Sequence, residues 1–245
     1  MKGELYVVGL GPGDPALMTE QARAALEKAE VLCGYTVYVD LVRDLYPDKE
    51  VYTTPMRGEM ERCRWALQTA DAGRTVAMVC SGDAGVYGMA SPVLELAAQY
   101  PQVGIEVVPG VTAALAGAAV LGAPLGHDFC CISLSDLLTP WPLIEKRLRC
   151  AAEGDFALCL YNPASHRRTG HLQRAVELLL QAGKALQTPC ATVRSIARPG
   201  QEVRHYTLAE LGTAPADMFT TVFVGSSTTV WQGDRLITPR GYAAR

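Results

Sequence analysis

The sequence predicts an α/β protein of two domains, with mostly parallel or mixed sheets and a ligand cleft between them. Short β-type apolar runs alternate with amphipathic helical stretches, the order that lays helices over a mostly parallel sheet. Glycine-bearing loops recur directly after apolar runs, at 9–15, 81–88 and 109–114. A segment rich in Gly, Ala and Pro near residues 115–125 separates two α/β halves. The expected domains are therefore 1–120, carrying the glycine loops, and 121–245, with the default ligand site where they meet.

Taken in order, Glu4–Gly9 reads as a strand and Thr19–Ala29 as a helix capped by Thr19. Glu59–Ala70 is a second helix, followed by the strand Thr75–Cys80, the helix Met89–Gln99 and the strand Ile105–Val108. Thr112–Leu121 is a helix of small residues, and the pattern pauses at Gly122–Gly126. It resumes with a strand at Phe129–Ser133, a helix over about Trp141–Ala152, a strand at Phe156–Leu160 and a helix over Arg168–Gln181. Strands near Cys190–Arg194, Val203–Tyr206 and Thr220–Val224 complete the chain, and the two halves show no sequence repeat.

Composition narrows the function classes. Of 245 residues, 49% are hydrophobic and 19% charged, which is globular rather than disordered or membrane-embedded. The longest apolar candidate, Val111–Leu125, falls short of the roughly 20 residues a bilayer requires. The first residues carry an acid and no long apolar run, so no signal peptide is read and a cytoplasmic location is expected. Eight cysteines occur without a C-x-x-C pair, mostly in apolar stretches, and read as reduced, buried thiols; no metal cluster is expected. Residues 1–124 hold 9 Lys+Arg against 15 Asp+Glu, whereas residues 125–245 hold 13 against 10, which makes the second half the better home for an anionic substrate. No long basic arm or row of stacking aromatics suggests nucleic acid.

Gly9-Leu-Gly-Pro-Gly-Asp-Pro15 invites a dinucleotide reading, with Asp40 near the position of a ribose-binding acid. The spacing opposes it: Asp14 stands where the third glycine of G-x-G-x-x-G belongs, and Pro12 removes an amide that a pyrophosphate would use. A purely structural turn and a turn lining another ligand's cleft remain. Ser81-Gly-Asp-Ala-Gly-Val-Tyr-Gly88 and Pro109-Gly-Val-Thr-Ala-Ala114 occupy equivalent strand-end positions, where open α/β sheets bind ligands, so one shared site is expected.

Together the three loops resemble the tetrapyrrole methylase superfamily, over nearly the whole chain. Gly126–Trp141 (GHDFCCISLSDLLTPW), Leu160–Arg168 (LYNPASHRR) and Ile237–Tyr242 (ITPRGY) resemble, within it, the enzymes that methylate carbon 17 of precorrin-3B or cobalt-precorrin-3 in cobalamin biosynthesis. The resemblance implies two α/β domains, S-adenosylmethionine in the cleft between them, ring contraction accompanying methylation, and a homodimer. By position it implies that Gly82, Asp83 and Val86 contact the cofactor, with Thr112 and Ala113 beside it, Tyr161 lining it and Pro12 at the cleft's mouth. Uroporphyrinogen methylases carry a proton-abstracting aspartate where Tyr35 stands here, and Asp40 is out of step, so no base is carried over from them.

Ring contraction needs acid/base groups, and His127, Ser135 and Asp136 are the candidates because they crowd the most family-specific segment. A capping role for His127 and a turn-capping role for Asp136 stand beside this. The substrate's carboxylates suit Arg167, Arg168, Arg194 and Arg198, each of which also reads as a surface residue. The alternatives are methylation of another precorrin carbon, a protein or ribosomal RNA methyltransferase, a nicotinamide-dependent oxidoreductase and a non-catalytic tetrapyrrole carrier.

Overall fold

The computed structural model describes residues 3–165 and 168–242, and the chain falls into two compact units, Met1–Ala113 and Ala114–Arg245. The division precedes the Gly122–Gly126 turn, so the small-residue helix belongs almost entirely to the second unit.

The first unit runs β1 (Glu4–Gly9), α1 (Glu20–Lys28), β2 (Val31–Tyr35), α2 (Thr36–Val39), β3 (Glu50–Thr54), α3 (Glu59–Asp71), β4 (Thr75–Cys80), α4 (Ala90–Leu96) and β5 (Gly104–Val108). Its sheet is parallel throughout, in the order β3-β2-β4-β1-β5. The sequence reading passed over β2 and β3. Val31-Leu-Cys-Gly-Tyr35 is short and broken by a glycine, and β3 is an edge strand with little apolar signal.

Side chains alternate across a strand, and here both faces are covered. Leu5 and Val7 of β1 pack with Val76 and Met78 against Cys63, Ala66 and Leu67 of α3 and Val93 of α4. Tyr6 and Val8 pack with Ala77 and Val79 against Ala22, Ala25 and Leu26 of α1. Thr19 starts α1 as expected, its Oγ1 accepting the Ala22 amide at 3.1 Å.

The second unit follows with α5 (Ala113–Leu121), β6 (Gly122–Ala123), β7 (Phe129–Ser133), α6 (Trp141–Glu153), β8 (Ala157–Tyr161), α7 (His171–Gln181), β9 (Pro189–Arg194), β10 (Glu202–Thr207), α8 (Leu208–Leu211), β11 (Thr220–Val224), β12 (Val230–Gln232) and β13 (Arg235–Ile237). Its five-stranded sheet, ordered β10-β9-β11-β8-β7, is mixed: β7 and β8 run parallel and the other pairs antiparallel. The reason lies in the connections. β7 reaches β8 through α6, a crossover, whereas β9 turns directly into β10. A small sheet, β12-β13-β6, was not anticipated because its strands are only two or three residues long.

On one face Ile132, Leu158, Leu160 and Val222 pack on Ile144 and Leu148 of α6 and Leu172, Val176 and Leu179 of α7. On the other, Phe223 of β11 meets α5 at Gly117. Cys33, Cys63, Cys80, Cys159 and Cys190 are buried as expected, but Cys150 on α6 is exposed. Burial pushes the Cys33, Cys80 and Cys190 thiols up to about 12, so they stay protonated and unreactive. Among the described residues no helix is long and apolar enough to cross a membrane.

Candidate functional site

In the first unit the three glycine loops leave the carboxyl ends of β1, β4 and β5, which are neighbours in the sheet, and they are tied to one another by backbone. Gly11 N–H donates to Gly82 O at 3.0 Å, and Gly82 N–H returns a bond to Gly11 O at 2.7 Å. Gly110 is wedged between them: a Cβ there would lie 2.2 Å from Gly82 O and 2.6 Å from Gly9 O, so only glycine fits. Asp83 closes the arrangement, its Oδ1 accepting the Gly85 amide at 2.8 Å and its Oδ2 the Gly110 amide at 2.9 Å. Asp83 thereby ties the 81–88 loop to the 109–112 loop.

Gly82 holds φ +71°, and a Cβ on it would project to 3.6 Å from Thr112 Cα and 3.7 Å from Ala113 N. Gly82, Asp83, Thr112 and Ala113 are thus adjacent, with Pro12 buried and Val86 half-buried in the same loops. Tyr87 beside them holds φ +55° and is 54% exposed. A non-glycine residue in the left-handed region is uncommon and concentrates at functional loops.

The first loop is built against a dinucleotide. Asp14 caps the short turn Pro15–Leu17 through the Ala16 amide, which fixes an acid at the loop, and the Gly11 amide is already committed to Gly82. α1 begins after its cap Thr19, several residues beyond the last glycine, so the loop does not run straight into the helix as a dinucleotide fingerprint does. NAD and NADP should therefore show no saturable binding by fluorescence or calorimetry; binding that Gly11→Ala abolishes would reverse this assignment.

In the second unit the carboxyl ends of the parallel pair β7 and β8 carry the family-specific segments. Asn162, at φ +53°, donates from Nδ2 to Ser133 Oγ at 2.9 Å, and the same oxygen accepts the Ser135 amide at 3.2 Å. Tyr161 accepts the Ala114 amide on its hydroxyl at 2.8 Å, capping the first turn of α5.

Asp136 meets a partner that the sequence reading missed: His171 Nε2 lies 3.1 Å from Asp136 Oδ2. That hydrogen bond holds the Asp136 carboxyl below its ordinary range against the opposing push of burial, and the charge of Arg168 adds to it. His171 packs edge-on to Trp141 at 4.8 Å between centroids, and Trp141 in turn lies under the Arg174 guanidinium and donates to Glu145. His171 stood within a stretch read as helix, and nothing in linear spacing couples it to Asp136.

The other candidates are dispersed. His127 is 61% exposed, and its Nδ1 accepts the neighbouring Asp128 amide at 2.8 Å, a local structural role. Arg168 donates from Nε to Ser165 Oγ at 3.2 Å, and its buried Nη1 has no hydrogen-bond partner among the described residues. Arg194 pairs with Asp217 at 2.7 Å on a cavity of about 220 Å³ that Arg204 and Glu202 also line, so the charges there are balanced. Arg198 lies over the Phe219 ring at 5.9 Å. Arg167 lies outside the described residues. Among the described residues no group of three or more His, Cys, Asp or Glu side chains is disposed to hold a metal ion.

Comparison with known proteins bears on the family and the fold. The family model described as tetrapyrrole (corrin/porphyrin) methylases matches residues 4–212. A protein of Salmonella typhimurium, named probable cobalt-factor III C(17)-methyltransferase, is 51% identical over 97% of this chain and 99% of its own. The crystal structure of the methyltransferase CobJ is 40% identical, covers 97% of this chain and 100% of its own, and superposes with a TM-score of 0.90. The uroporphyrin-III C-methyltransferase of Thermus thermophilus, solved in complex with S-adenosylhomocysteine, is 28% identical over 91% of this chain and 97% of its own, with a TM-score of 0.75.

Proposed function

The chain belongs to the tetrapyrrole (corrin/porphyrin) methylases, and from that premise we propose that it is the S-adenosylmethionine-dependent enzyme that methylates carbon 17 of a cobalt-factor III or precorrin-3B type tetrapyrrole, with ring contraction, in cobalamin biosynthesis. The observation that carries this reading is the 51% identity, end to end, with a relative named for that reaction. Work in the cytoplasm as a homodimer is part of the same proposal.

S-adenosylmethionine, when bound, supplies an activated methyl group on a sulfonium. The first unit's loops suit such a ligand: the gap beside Thr112 and Ala113 is one that a Cβ at Gly82 would enter, so main chain is left bare for close approach. Gly82, Asp83, Val86, Thr112 and Ala113 hold the cofactor in this reading, with Pro12 at the rim. Tyr161 joins them on the resemblance, its hydroxyl also capping α5. The work of these residues is orientation and exclusion of water, since an activated donor asks chiefly for alignment with the acceptor carbon.

For the substrate's carboxylates the proposal keeps Arg167 and Arg168, and gives Arg194 and Arg198 a lesser part because Asp217 and the Phe219 ring already engage them. Ser135, Asp136 and His127 remain the residues proposed to serve the acid/base chemistry, Asp136 through its histidine partner, with His127 the weakest by its exposed position.

The test is turnover of the purified chain with S-adenosylmethionine and either cobalt-factor III or precorrin-3B. A mass gain of one methyl, located at carbon 17 by NMR, with the absorbance change of a contracted macrocycle, is expected from at least one substrate. Failure to gain a methyl from either, or a methyl on another carbon, would overturn the reading.

A further inference from the structure

Asp136, in the connection after β7, and His171, at the start of α7, share one edge of the fold. β7 runs into the segment holding Asp136 and β8 into the segment that ends at His171, the first residue of α7, so both lie past the carboxyl ends of the parallel pair, where α/β sheets take ligands. The pair is reachable, with the Asp136 side chain 40% and the His171 side chain 20% exposed. Leu137 and Leu138, directly after Asp136, are 69% and 93% exposed, an apolar tip suited to the face of a macrocycle.

Resting on the function proposed above, we propose that His171 is an acid/base residue of the ring-contracting reaction and that Asp136 is the positioning residue that fixes its tautomer and orientation. Nε2 is the nitrogen against Asp136, which leaves Nδ1 for the substrate. The step is one proton transfer. The neutral imidazole takes a proton from a substrate O–H or C–H at Nδ1, the resulting imidazolium is held against the Asp136 carboxylate, and the proton returns to the substrate later in the turnover or passes to water at its end. No electrons change hands in it, so it needs neither oxidant nor reductant. A carboxylate behind an imidazole does this job wherever a histidine must carry a proton briefly. Among the described residues, Asp136 faces the ring, the charge of Arg168 acts on Asp136, and Glu145 of α6 and Arg174 of α7 flank the Trp141 that packs on the ring. Trp141 fixes the ring plane.

The competing explanation is a staple that fastens α7 to the connection between β7 and α6, and the experiment separates the two. His171→Gln and Asp136→Asn are made in the full chain and assayed with the substrate that the wild type turns over, together with S-adenosylmethionine affinity, thermal midpoint and the pH profile of kcat. His171→Gln should keep cofactor affinity within about twofold, lose roughly 10²–10⁴-fold in kcat, and lose the limb of the kcat–pH profile that the imidazole contributes. Asp136→Asn should keep that limb, with a smaller fall in kcat. A stable His171→Gln protein with kcat within threefold of wild type, or one with a lower kcat and an unchanged pH profile, overturns the proposal. Should His171→Gln fail to fold, Asp136→Asn with wild-type kcat overturns it equally. Absence of turnover in the wild type would instead count against the substrate assignment, so the two failures are distinguishable.

Discussion

Gly82→Val should yield a folded protein whose affinity for S-adenosylmethionine falls by at least about 100-fold, ~2.7 kcal/mol. Two consequences of the side chain combine. Gly82 sits at φ +71°, where a β-branched residue is strained by about 1–3 kcal/mol and pulls the loop from its bound shape. Its Cβ would also point into the gap bounded by Thr112 and Ala113, at ordinary contact distance from both, and its methyl groups would reach further. Nothing at those distances forces the fold apart. Gly110→Ala is the counterpart, since its Cβ would meet Gly82 O at 2.2 Å and the loops could not close around it. Calorimetry with S-adenosylmethionine and thermal denaturation distinguish the two: Gly82→Val should keep most of its thermal midpoint and lose the ligand, and Gly110→Ala should lose both. A folded Gly82→Val chain that binds as tightly as wild type would remove the cofactor from these loops.

The same loops show what sequence can and cannot carry. Strands β1, β4 and β11 are bounded as the apolar runs suggested, because each is a dense run buried on both faces. The glycines marked strand-end loops, and the structure supplies the reason: Gly9, Gly82 and Gly110 stack main chain on main chain. Asp83 was legible as a functional candidate, but its bonds to the Gly85 and Gly110 amides were not, since Gly110 lies on another loop. His171 illustrates the limit most clearly. Its meeting with Asp136 depends on α6 and α7 packing side by side, and contacts of that kind leave no period in the chain. Arg194 illustrates the same limit from the charge side: net charge marks the second half as positive, but it does not show that Asp217 pairs with this arginine.

Phe223→Ala should destabilise the second unit by about 3–5 kcal/mol, the range for removing a buried aromatic ring. Phe223 is 1% exposed on β11, a central strand, and its ring fills the space that the absence of a side chain at Gly117 creates on α5. A Cβ at Gly117 would lie 2.7 Å from Phe223 Cζ and 3.0 Å from Ile196 Cδ1. Ala114, Ala116 and Ala118 are buried with it, so the helix expected here from its small residues is kept small to approach the sheet. The packing has a functional consequence as well. α5 begins beside Thr112 and Ala113 and has its first turn capped by the Tyr161 hydroxyl, so loosening the helix should disturb the candidate site's end of it too. Gly117→Leu alone should overpack the contact and cost about 1–3 kcal/mol. In the double variant the leucine occupies the void left by the ring, and the combined loss should fall short of the sum by about 1–3 kcal/mol. Chemical denaturation of the four proteins gives that coupling directly. Additivity within about 0.5 kcal/mol would mean that the ring and the glycine do not hold α5 to the sheet, and that another contact positions the helix.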